Sequence, residues 1–338
     1  MRQNPRYFFV GLLRRYVSCK CEVDNDVKIL AMPQPKNISA HLALLCCNII
    51  WACDFPFYAL VLGTYISPMA MVTASIVVAA LLSLLPLLWE SPERVEPQDR
   101  LKIIAAALLI GVGRKLCMMY GLAETSPIDG SIVSTTAPLL VLLLSAVVGW
   151  ERITKIKILG LLLGMAGAMA VILSSNGDAH TRSGMVGNIL IFLSACVSAV
   201  YMVCFKATLR KYRVTTVMRW VYCTSLFVML PIGVDDVLKV DIAAMTPHIL
   251  LAALFVLVVP TYLPNLLQNY SLRHLPPTLS SIYAYIQPIV AIALSVAMGI
   301  DVLHWDTLLY ALLIFVGVWL VVRSYKSEPA SAPHIDVR

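Results

Sequence analysis

Arg114 and Asp54 are charged side chains inside long apolar runs, and they are the residues of this chain with the clearest capacity for chemistry. Arg114 lies within the run 101–123 and Asp54 at similar depth within the run 40–62. A charge at the centre of a bilayer costs about 2.5–3.5 kcal/mol on insertion scales, so such residues usually face the interior of a bundle or water. The guanidinium could hold a carboxylate or phosphate, while Asp54 could compete for it or bind a proton. A structural ion pair is the alternative.

Other polar and aromatic side chains occur in the middle of apolar runs. Asn265, Gln268 and Asn269 share a helix face by their spacing, and they could bind polar groups or join helices. Lys115 lies about 100° around the helix from Arg114, so we expect it to extend outward or to meet another helix. Large aromatic and polar side chains in the middle of a span need contacts with other groups, and we add five of them to the substrate-binding candidates: Trp51, Tyr201, Tyr283, Tyr285 and Gln287.

The sequence lacks the common motifs of nucleotide-binding and enzyme active sites. There is no GxxxxGK[ST] phosphate loop, no HExxH, no GxSxG and no CxxC. The six histidines are scattered near the ends of the apolar runs without metal-ligand spacing. We therefore predict no enzyme activity, no cofactor and no metal site.

The runs that carry these residues are long enough to cross a membrane. The chain is 59% hydrophobic and 13% charged with a mean hydropathy of +0.82, whereas a soluble domain has about 25% charged residues. A helix needs about 20 apolar residues to cross the hydrocarbon, so we predict an all-α membrane protein with ten transmembrane helices. The predicted spans are 40–62, 67–89, 101–123, 127–149, 154–174, 186–206, 214–233, 247–270, 276–298 and 304–322.

The second half of the chain repeats the first at an offset of 150 residues, with Pro138 on Pro288 and Tyr120 on Tyr270. Each copy has five apolar runs, and an odd number makes the second copy enter the bilayer in the opposite sense. We predict a 5+5 inverted-topology repeat around a central cavity. The expected segments are an N-terminal tail 1–37, two halves 38–187 and 188–325, and a disordered C-terminal tail 326–338. Translation starting at Met32 is an alternative for the first segment.

Basic residues are distributed unevenly along the chain. The net charge is +7, but most Lys and Arg lie in the tails and in the loops that share one side with them. Because Lys and Arg collect in cytoplasmic loops, we expect both termini in the cytoplasm. The excess charge then reflects orientation, and we predict no nucleic-acid partner.

In their order along the chain, several residues resemble those of EamA-type, ten-helix transporters of the drug/metabolite transporter superfamily, over about residues 38–325. Asp301 stands where the first copy has Glu151, and Ser75 stands where the family often has a basic residue. The residues that carry the resemblance are Leu122, Ser126, Pro127, Pro138, Glu151, Gly160, Gly164 and Gly167 in the first copy and Leu272, Pro277, Pro288 and Gly317 in the second.

The resemblance implies that the third, fourth, eighth and ninth spans line the cavity and that the two halves alternate access for small organic solutes moving outward. We expect Pro138 and Pro288, in the middle of their spans, to be structural helix or hinge positions. Glu151 and Asp301 are expected to accept hydrogen bonds from helix N-termini. Gly160, Gly164 and Gly167 permit close helix approach, inside the protein or between copies.

The combined prediction is a secondary transporter of a small anionic or zwitterionic metabolite in the plasma (bacterial inner) membrane. Its partners would be the solute and the lipid bilayer. Coupling to a proton or a counter-solute and the oligomeric state are left open. The alternatives are a nucleotide-sugar or phosphate-ester exchanger of the same superfamily and a membrane scaffold or sensor without transport.

Overall fold

A computed structural model of the chain describes residues 38–149, 154–174, 184–275 and 277–327. These residues fold mainly into helices, which we number in chain order. The helices are α1 (Ile38–Val61), α2 (Pro68–Leu84), α3 (Pro97–Ala106), α4 (Arg114–Glu124), α5 (Pro127–Ser134), α6 (Ala137–Val148), α7 (Lys155–Ser174), α8 (Met185–Cys204), α9 (Lys206–Lys211), α10 (Val214–Leu238), α11 (Pro247–His274), α12 (Pro277–Ile282), α13 (Ile286–Ala297) and α14 (Trp305–Ser327).

Nine helical stretches among the described residues are long and apolar enough to cross a membrane. The third predicted span is built from α3, a π-helical turn (Ala107–Gly113) and α4. The tenth corresponds to α14, whose apolar part, Trp305–Val321, is shorter than the others. The number and order of apolar helices therefore follow the predicted pattern.

Serine and proline determine where two of these helices, α2 and α5, begin. Ser67 precedes Pro68, and its side chain accepts a hydrogen bond from the Ala70 backbone N–H. A serine hydroxyl before a helix satisfies one of the N–H groups that have no partner inside the helix. Proline is favourable at the first helical position, because the N–H that proline lacks would have no partner inside the helix there. Ser126 and Pro127 repeat this arrangement at the start of α5.

The fourth and ninth spans are interrupted in the middle. The fourth divides between α5 and α6, and Pro138 is the second residue of α6. The ninth has a 3-10 turn, Tyr283–Tyr285, between α12 and α13, and Pro288 follows in the first turn of α13. Proline lacks an N–H and its ring clashes with the carbonyl four residues earlier. The paired prolines thus account for matching breaks in the two halves.

Each half packs its first helix on the other half. In the first half α1 packs on α11 and α13, and in the second half α8 packs on α4 and α6. Two further helix pairs join the halves: α2 packs on α10, and α7 packs on α14. Helices at equivalent positions of the repeat therefore meet across a shared interface.

The contact between α7 and α14 gives the relative direction of one such pair. A Cβ atom on Gly167 would lie 2.8 Å from the Tyr310 backbone oxygen, and one on Gly317 would lie 2.5 Å from the Gly160 oxygen. Early residues of α7 thus meet late residues of α14, so the two helices run antiparallel, as an inverted repeat requires. The close contact made by Gly160 and Gly167 is internal to the chain. Gly164 takes part as well, because a Cβ on Gly317 would lie 2.6 Å from its backbone nitrogen, and its own missing Cβ makes room for Leu139 of α6.

Candidate functional site: a cavity between the two halves

A cavity of about 130 Å³ lies where the two halves meet. Its walls come from the third, fourth, eighth and ninth spans and also from α1, α8 and α10. The resemblance implied only the first four, because the exchange of α1 and α8 between halves is a feature of packing rather than of sequence. The predicted residues that line the cavity are Trp51, Asp54, Arg114, Tyr201, Asn265, Gln268, Asn269 and Gln287.

Arg114 enters the cavity directly after the π-helical turn Ala107–Gly113. Such turns are rare and occur frequently at functional sites. The Ser225 hydroxyl of α10 lies 3.3 Å from the Ala107 oxygen, to which it donates a hydrogen bond. The Arg114 guanidinium lies over the Trp51 ring, 5.6 Å from its centroid, within range of a cation–π interaction.

Lys115 also lines the cavity, contrary to our expectation that it extends outward or meets another helix. The lining residues of α4 form two adjacent pairs, Arg114 with Lys115 and Met118 with Met119. The cavity therefore borders a wide strip of α4, and neighbouring positions about 100° apart both reach it. Two cationic residues thus stand on one wall.

Asp54 faces the same space from α1. The residue is only 7% exposed, and its Oδ1 atom has no hydrogen-bond partner. Arg114 and Lys115 lie near enough to interact with it electrostatically. Neither of them is in ion-pair contact with Asp54. The structural ion pair considered from the sequence is therefore not formed in this conformation.

The prolines of α11 release backbone carbonyls, and side chains bind one of them. Pro260 has no N–H for the Val256 oxygen, which instead accepts from Thr261 Oγ1 at 3.2 Å and from Tyr58 OH at 3.4 Å. The Pro264 oxygen accepts from the Cys47 thiol at 3.2 Å. Side chains of α1 therefore bind the backbone of the opposite half, which permits irregular helix geometry at membrane depth.

An amide network joins α8 to α11 beside the cavity. The Tyr201 hydroxyl donates to Asn269 Oδ1 at 2.7 Å. Asn269 Nδ2 donates to the Asn265 oxygen at 2.7 Å, and Asn265 Nδ2 to the Thr261 oxygen at 2.9 Å. Both amides line the cavity, and Asn269 also joins α11 to α8.

A second amide bridge lies where the fourth and ninth spans are interrupted. Gln287 Nε2 donates to Asn48 Oδ1 at 2.8 Å, and the Ser134 hydroxyl lies 3.5 Å from Gln287 Oε1. Sequence analysis did not select Asn48, although it lines the cavity. The signal was present, because Asn48, Trp51, Asp54 and Tyr58 follow one another at helical spacing of three and four residues.

Tyr283 and Tyr285 are not among the residues that line the cavity. The Tyr283 hydroxyl lies 2.7 Å from His41 Nδ1, and the Tyr285 ring packs on Phe315 with centroids 6.1 Å apart. Successive residues of a 3-10 turn point in three directions, and here Ala284 is the one that faces the cavity. Helical periodicity could not have predicted this, because the turn interrupts it.

Asp301, in the loop before α14, forms a hydrogen bond with the start of α5. Asp301 Oδ2 accepts a hydrogen bond from the Ile128 backbone N–H at 3.1 Å, at the start of α5. Asp301 thus joins the second half to a helix N-terminus of the first, where a negative charge is favourable. Its sequence counterpart, Glu151, lies outside the described residues.

A cluster of polar contacts connects the loop before α3 with the segment between α8 and α10, and we call it the polar clasp. Lys211 Nζ lies 2.7 Å from both Glu96 and Asp99. Tyr212 OH donates to Asp99 at 2.8 Å. The clasp also contains the hydrogen bonds from the Arg213 backbone N–H to Glu93 and from the Thr215 hydroxyl to Glu90.

No group of three or more His, Cys, Asp or Glu residues that could hold a metal ion occurs in the described ranges. The donor set of the cavity instead consists of cations, amides, hydroxyls and a single carboxylate.

Comparison with known proteins places this architecture in a family. The model of the EamA-like transporter family matches the chain twice, at residues 38–173 and 185–323. The chain belongs to the EamA-like transporter family, and thereby to the drug/metabolite transporter superfamily. The resemblance found in the sequence is confirmed. This EamA-like protein is a multi-pass membrane protein of a transporter family.

Individual relatives agree with the family. The uncharacterized transporter YetK of Bacillus subtilis is 27% identical over 186 residues, which cover 53% of this chain and 55% of that protein. The chain thus spans about half the length of that relative. The uncharacterized transporter YcxC of the same organism is 21% identical over 294 residues, 85% of this chain and 94% of that protein.

A solved structure titled "Crystal structure of protein" has the same fold. Its TM-score is 0.62 at 15% sequence identity, over 87% of this chain and 100% of that one. The predicted all-α, ten-helix membrane fold of this EamA-like protein is confirmed.

Proposed function

We propose that this EamA-like protein is a secondary transporter that exports a small anionic or zwitterionic metabolite across the plasma membrane. The observation that carries the proposal is the pair of cationic residues, Arg114 and Lys115, on the wall of a cavity between two exchanged halves. Neither is in ion-pair contact with the nearby carboxylate of Asp54. Cations in mid-membrane that are not in contact with a carboxylate are suited to an anionic group of a solute.

The geometry of Arg114 favours a carboxylate. A guanidinium presents its N–H donors in a rigid planar fork that matches a carboxylate or phosphate. Because its face lies over the Trp51 ring, its edge is left for such a ligand. The cavity of about 130 Å³ is smaller than the roughly 300–1,000 Å³ of pockets for drug-sized ligands. The size and the two cations support a small metabolite over a nucleotide sugar.

Alternating access is the transport mechanism that suits this architecture. Inverted repeats place the site at the interface of the halves and expose it to each side in turn by rocking one unit against the other. The interruptions near Pro138 and Pro288 supply matched bends, and the polar clasp joins the halves on one face. The excess of basic residues on that face supports a cytoplasmic location for it.

The test is binding and uptake by the purified protein with a charge-neutralised cavity. A thermal-shift screen would compare amino acids, small carboxylates and phosphate esters, and uptake of the hits would be measured in proteoliposomes. We expect Arg114→Gln to lower apparent affinity about 30-fold or more, since removing one partner of a buried charge contact costs about 2–5 kcal/mol.

Arg323→Gln provides the matched control. Arg323 also lies over a tryptophan ring, that of Trp319 at 5.2 Å, but it does not line the cavity. Unchanged uptake in this control with loss in Arg114→Gln supports the site. Full uptake by Arg114→Gln removes Arg114 from the site. A wild-type protein that takes up none of the solutes points to a scaffold or sensor.

A further inference from the structure

We infer that Asp54 is a proton-binding site and that its proton crosses the membrane together with the anionic solute. This inference rests on the proposed function, and it assigns the coupling ion to a residue. It starts from a geometric observation, namely a carboxylate oxygen in mid-membrane without a hydrogen-bond donor.

Asp54 Oδ1 is buried and has no hydrogen-bond partner. An ionised carboxylate buried without a donor is among the most unfavourable states of a polar group, whereas its neutral acid form costs far less. A solute ammonium cannot contact this oxygen in the present conformation, because the atom is closed even to water. A proton needs no such space. The burial of Oδ1 therefore favours a proton over an ammonium group as the cation bound at this oxygen.

The charged and titratable groups around Asp54 lie on α1, α4, α8 and α10. The lining residues of α11, α12 and α13 carry none, and Asp129 of α5, which packs on α1, does not line the cavity. Tyr283 and Tyr285 of the 3-10 turn contact His41 and Phe315 instead. The charged and titratable groups near Asp54 are Cys47, Cys53 and Tyr58 of α1, Arg114 and Lys115 of α4, Tyr201 of α8 and Tyr222 of α10.

The charge balance of the cavity links the proton to the anion. Arg114, Lys115 and an ionised Asp54 give one net positive charge, and a proton on Asp54 raises it to two. A bound monoanion returns the charge to its value in the empty cavity. The empty and fully loaded forms are thus equal in charge, while forms with only one ligand are not. Each ligand therefore favours binding of the other, and this linkage is reciprocal.

The transport step is balanced. The O–H bond on Asp54 forms with a proton taken from water on the side where the anion binds. The bond breaks when the site opens to the other side, where the proton returns to water as the anion leaves. Because each ligand favours binding of the other, the empty and fully loaded forms are favoured in each conformation, which couples the two fluxes. A monoanion and a proton moving together transfer no net charge.

Infrared difference spectroscopy of the purified full-length protein tests the site with two probes, the proton and thiocyanate. A protonated Asp54 contributes a carboxylic-acid C=O band that shifts in D2O. We expect this band in the wild type as pH is lowered, its loss in Asp54→Asn and its return in Asp54→Glu. Thiocyanate is a small monoanion whose own C≡N band reports binding. We expect it to move the midpoint of the carboxylic-acid band to higher pH by about one unit, since coupling between sites is typically 5–150-fold.

Three controls keep the test decisive. Arg114→Gln should retain the Asp54 band but abolish its response to thiocyanate. Lys115→Gln should retain the band, because the proton sits on Asp54. Asp301→Asn, which removes an acid outside the cavity, should leave the spectrum unchanged. A wild-type spectrum without an Asp54-dependent band overturns the inference, and so does a band that thiocyanate does not move.

Failure of the inference and failure of the proposed function give different results. Solute uptake in proteoliposomes that keeps its wild-type pH dependence in Asp54→Asn leaves the transporter in place and removes the proton site. A wild-type protein that takes up no solute although its Asp54 band is present rejects transport itself.

Discussion

Arg114 has an aromatic ring on its face and no carboxylate in its fork, and this contact distinguishes it from a structural ion pair. The sequence identified the residue because a guanidinium within an apolar run is costly unless it faces protein or water. Sequence alone could not tell that Trp51 would be its neighbour, since the two lie on different helices. Pair contacts depend on helix rotation, which is set by tertiary packing.

Other single residues show the same limit. Asn265, Gln268, Asn269 and Gln287 reach the cavity as expected from their position within apolar runs. Lys115 does so too, although the helical wheel placed it elsewhere. The residue type was therefore predictable, but the width of the strip of α4 that borders the cavity was not, because it depends on how the neighbouring helices pack.

The hydrogen bond between Tyr201 and Asn269 gives a prediction at this scale. Tyr201 is 1% exposed, so Tyr201→Phe leaves Asn269 Oδ1 buried without its donor. We expect a loss of about 1–3 kcal/mol of stability, measured as a lower unfolding temperature in detergent. Tyr120→Phe is the matched control because Tyr120 is 40% exposed. Equal unfolding temperatures for wild type and Tyr201→Phe would show that the bond contributes nothing.

At the level of secondary structure, the sequence predicted the helices but only part of where they are interrupted. Apolar runs of about 20 residues predicted ten spans. The paired prolines were predicted as helix or hinge positions, and the breaks beside them in the fourth and ninth spans came from the structure. The π-helical turn Ala107–Gly113 has no counterpart in the sequence pattern. It depends on packing, since a Cβ on Gly111 would overlap Ser225 of α10 and the same serine binds the Ala107 oxygen.

The contact between α7 and α14 gives a prediction for an element. In Gly167→Ala the new Cβ would lie 2.8 Å from the Tyr310 oxygen, a backbone atom that cannot rotate away. The helices must separate, so we expect a loss of about 1–3 kcal/mol of stability, read from thermal unfolding. Met169→Ala on the exposed face of α7 should change it little. Equal unfolding of the Gly167 variant and wild type would argue against close packing there.

For the whole molecule, the polar clasp connects the halves on the face that we assign to the cytoplasm. We expect Lys211→Met to favour opening of that face and to increase labelling of a cysteine placed at Ser280 by a membrane-impermeant maleimide. The exposed pair with Glu96 accounts for an increase of up to about fivefold, because such a pair contributes about 0.2–1 kcal/mol, and the pair with the buried Asp99 adds to it. Lys239→Met is the control, since Lys239 is an exposed lysine that follows α10. A labelling rate equal to that of wild type would show that the clasp does not hold the halves together.

The pH dependence of the clasp follows from its partners. Hydrogen bonds to Asp99 and Glu96 raise the pKa of Lys211, and the hydrogen bond from Lys211 lowers the pKa of Glu96. The Glu96 contribution is present above the unfolded-state pKa of about 4.3 and disappears as pH falls through its folded-state value. The Lys211 contribution is lost only as pH rises through its raised pKa. The effect of Lys211→Met on labelling should therefore shrink in acid.

The exchange of first helices between the halves has a consequence for biosynthesis. α1 leaves the ribosome long before α11, the helix on which it packs most extensively. At about 5–20 residues per second, the interval is roughly 10–40 s. During that time α1 stays in the bilayer without the Pro264 and Val256 oxygens that its Cys47 thiol and Tyr58 hydroxyl bind in the folded protein. A nascent chain arrested before α11 would expose this helix to quality control or to an equivalent helix of a second copy.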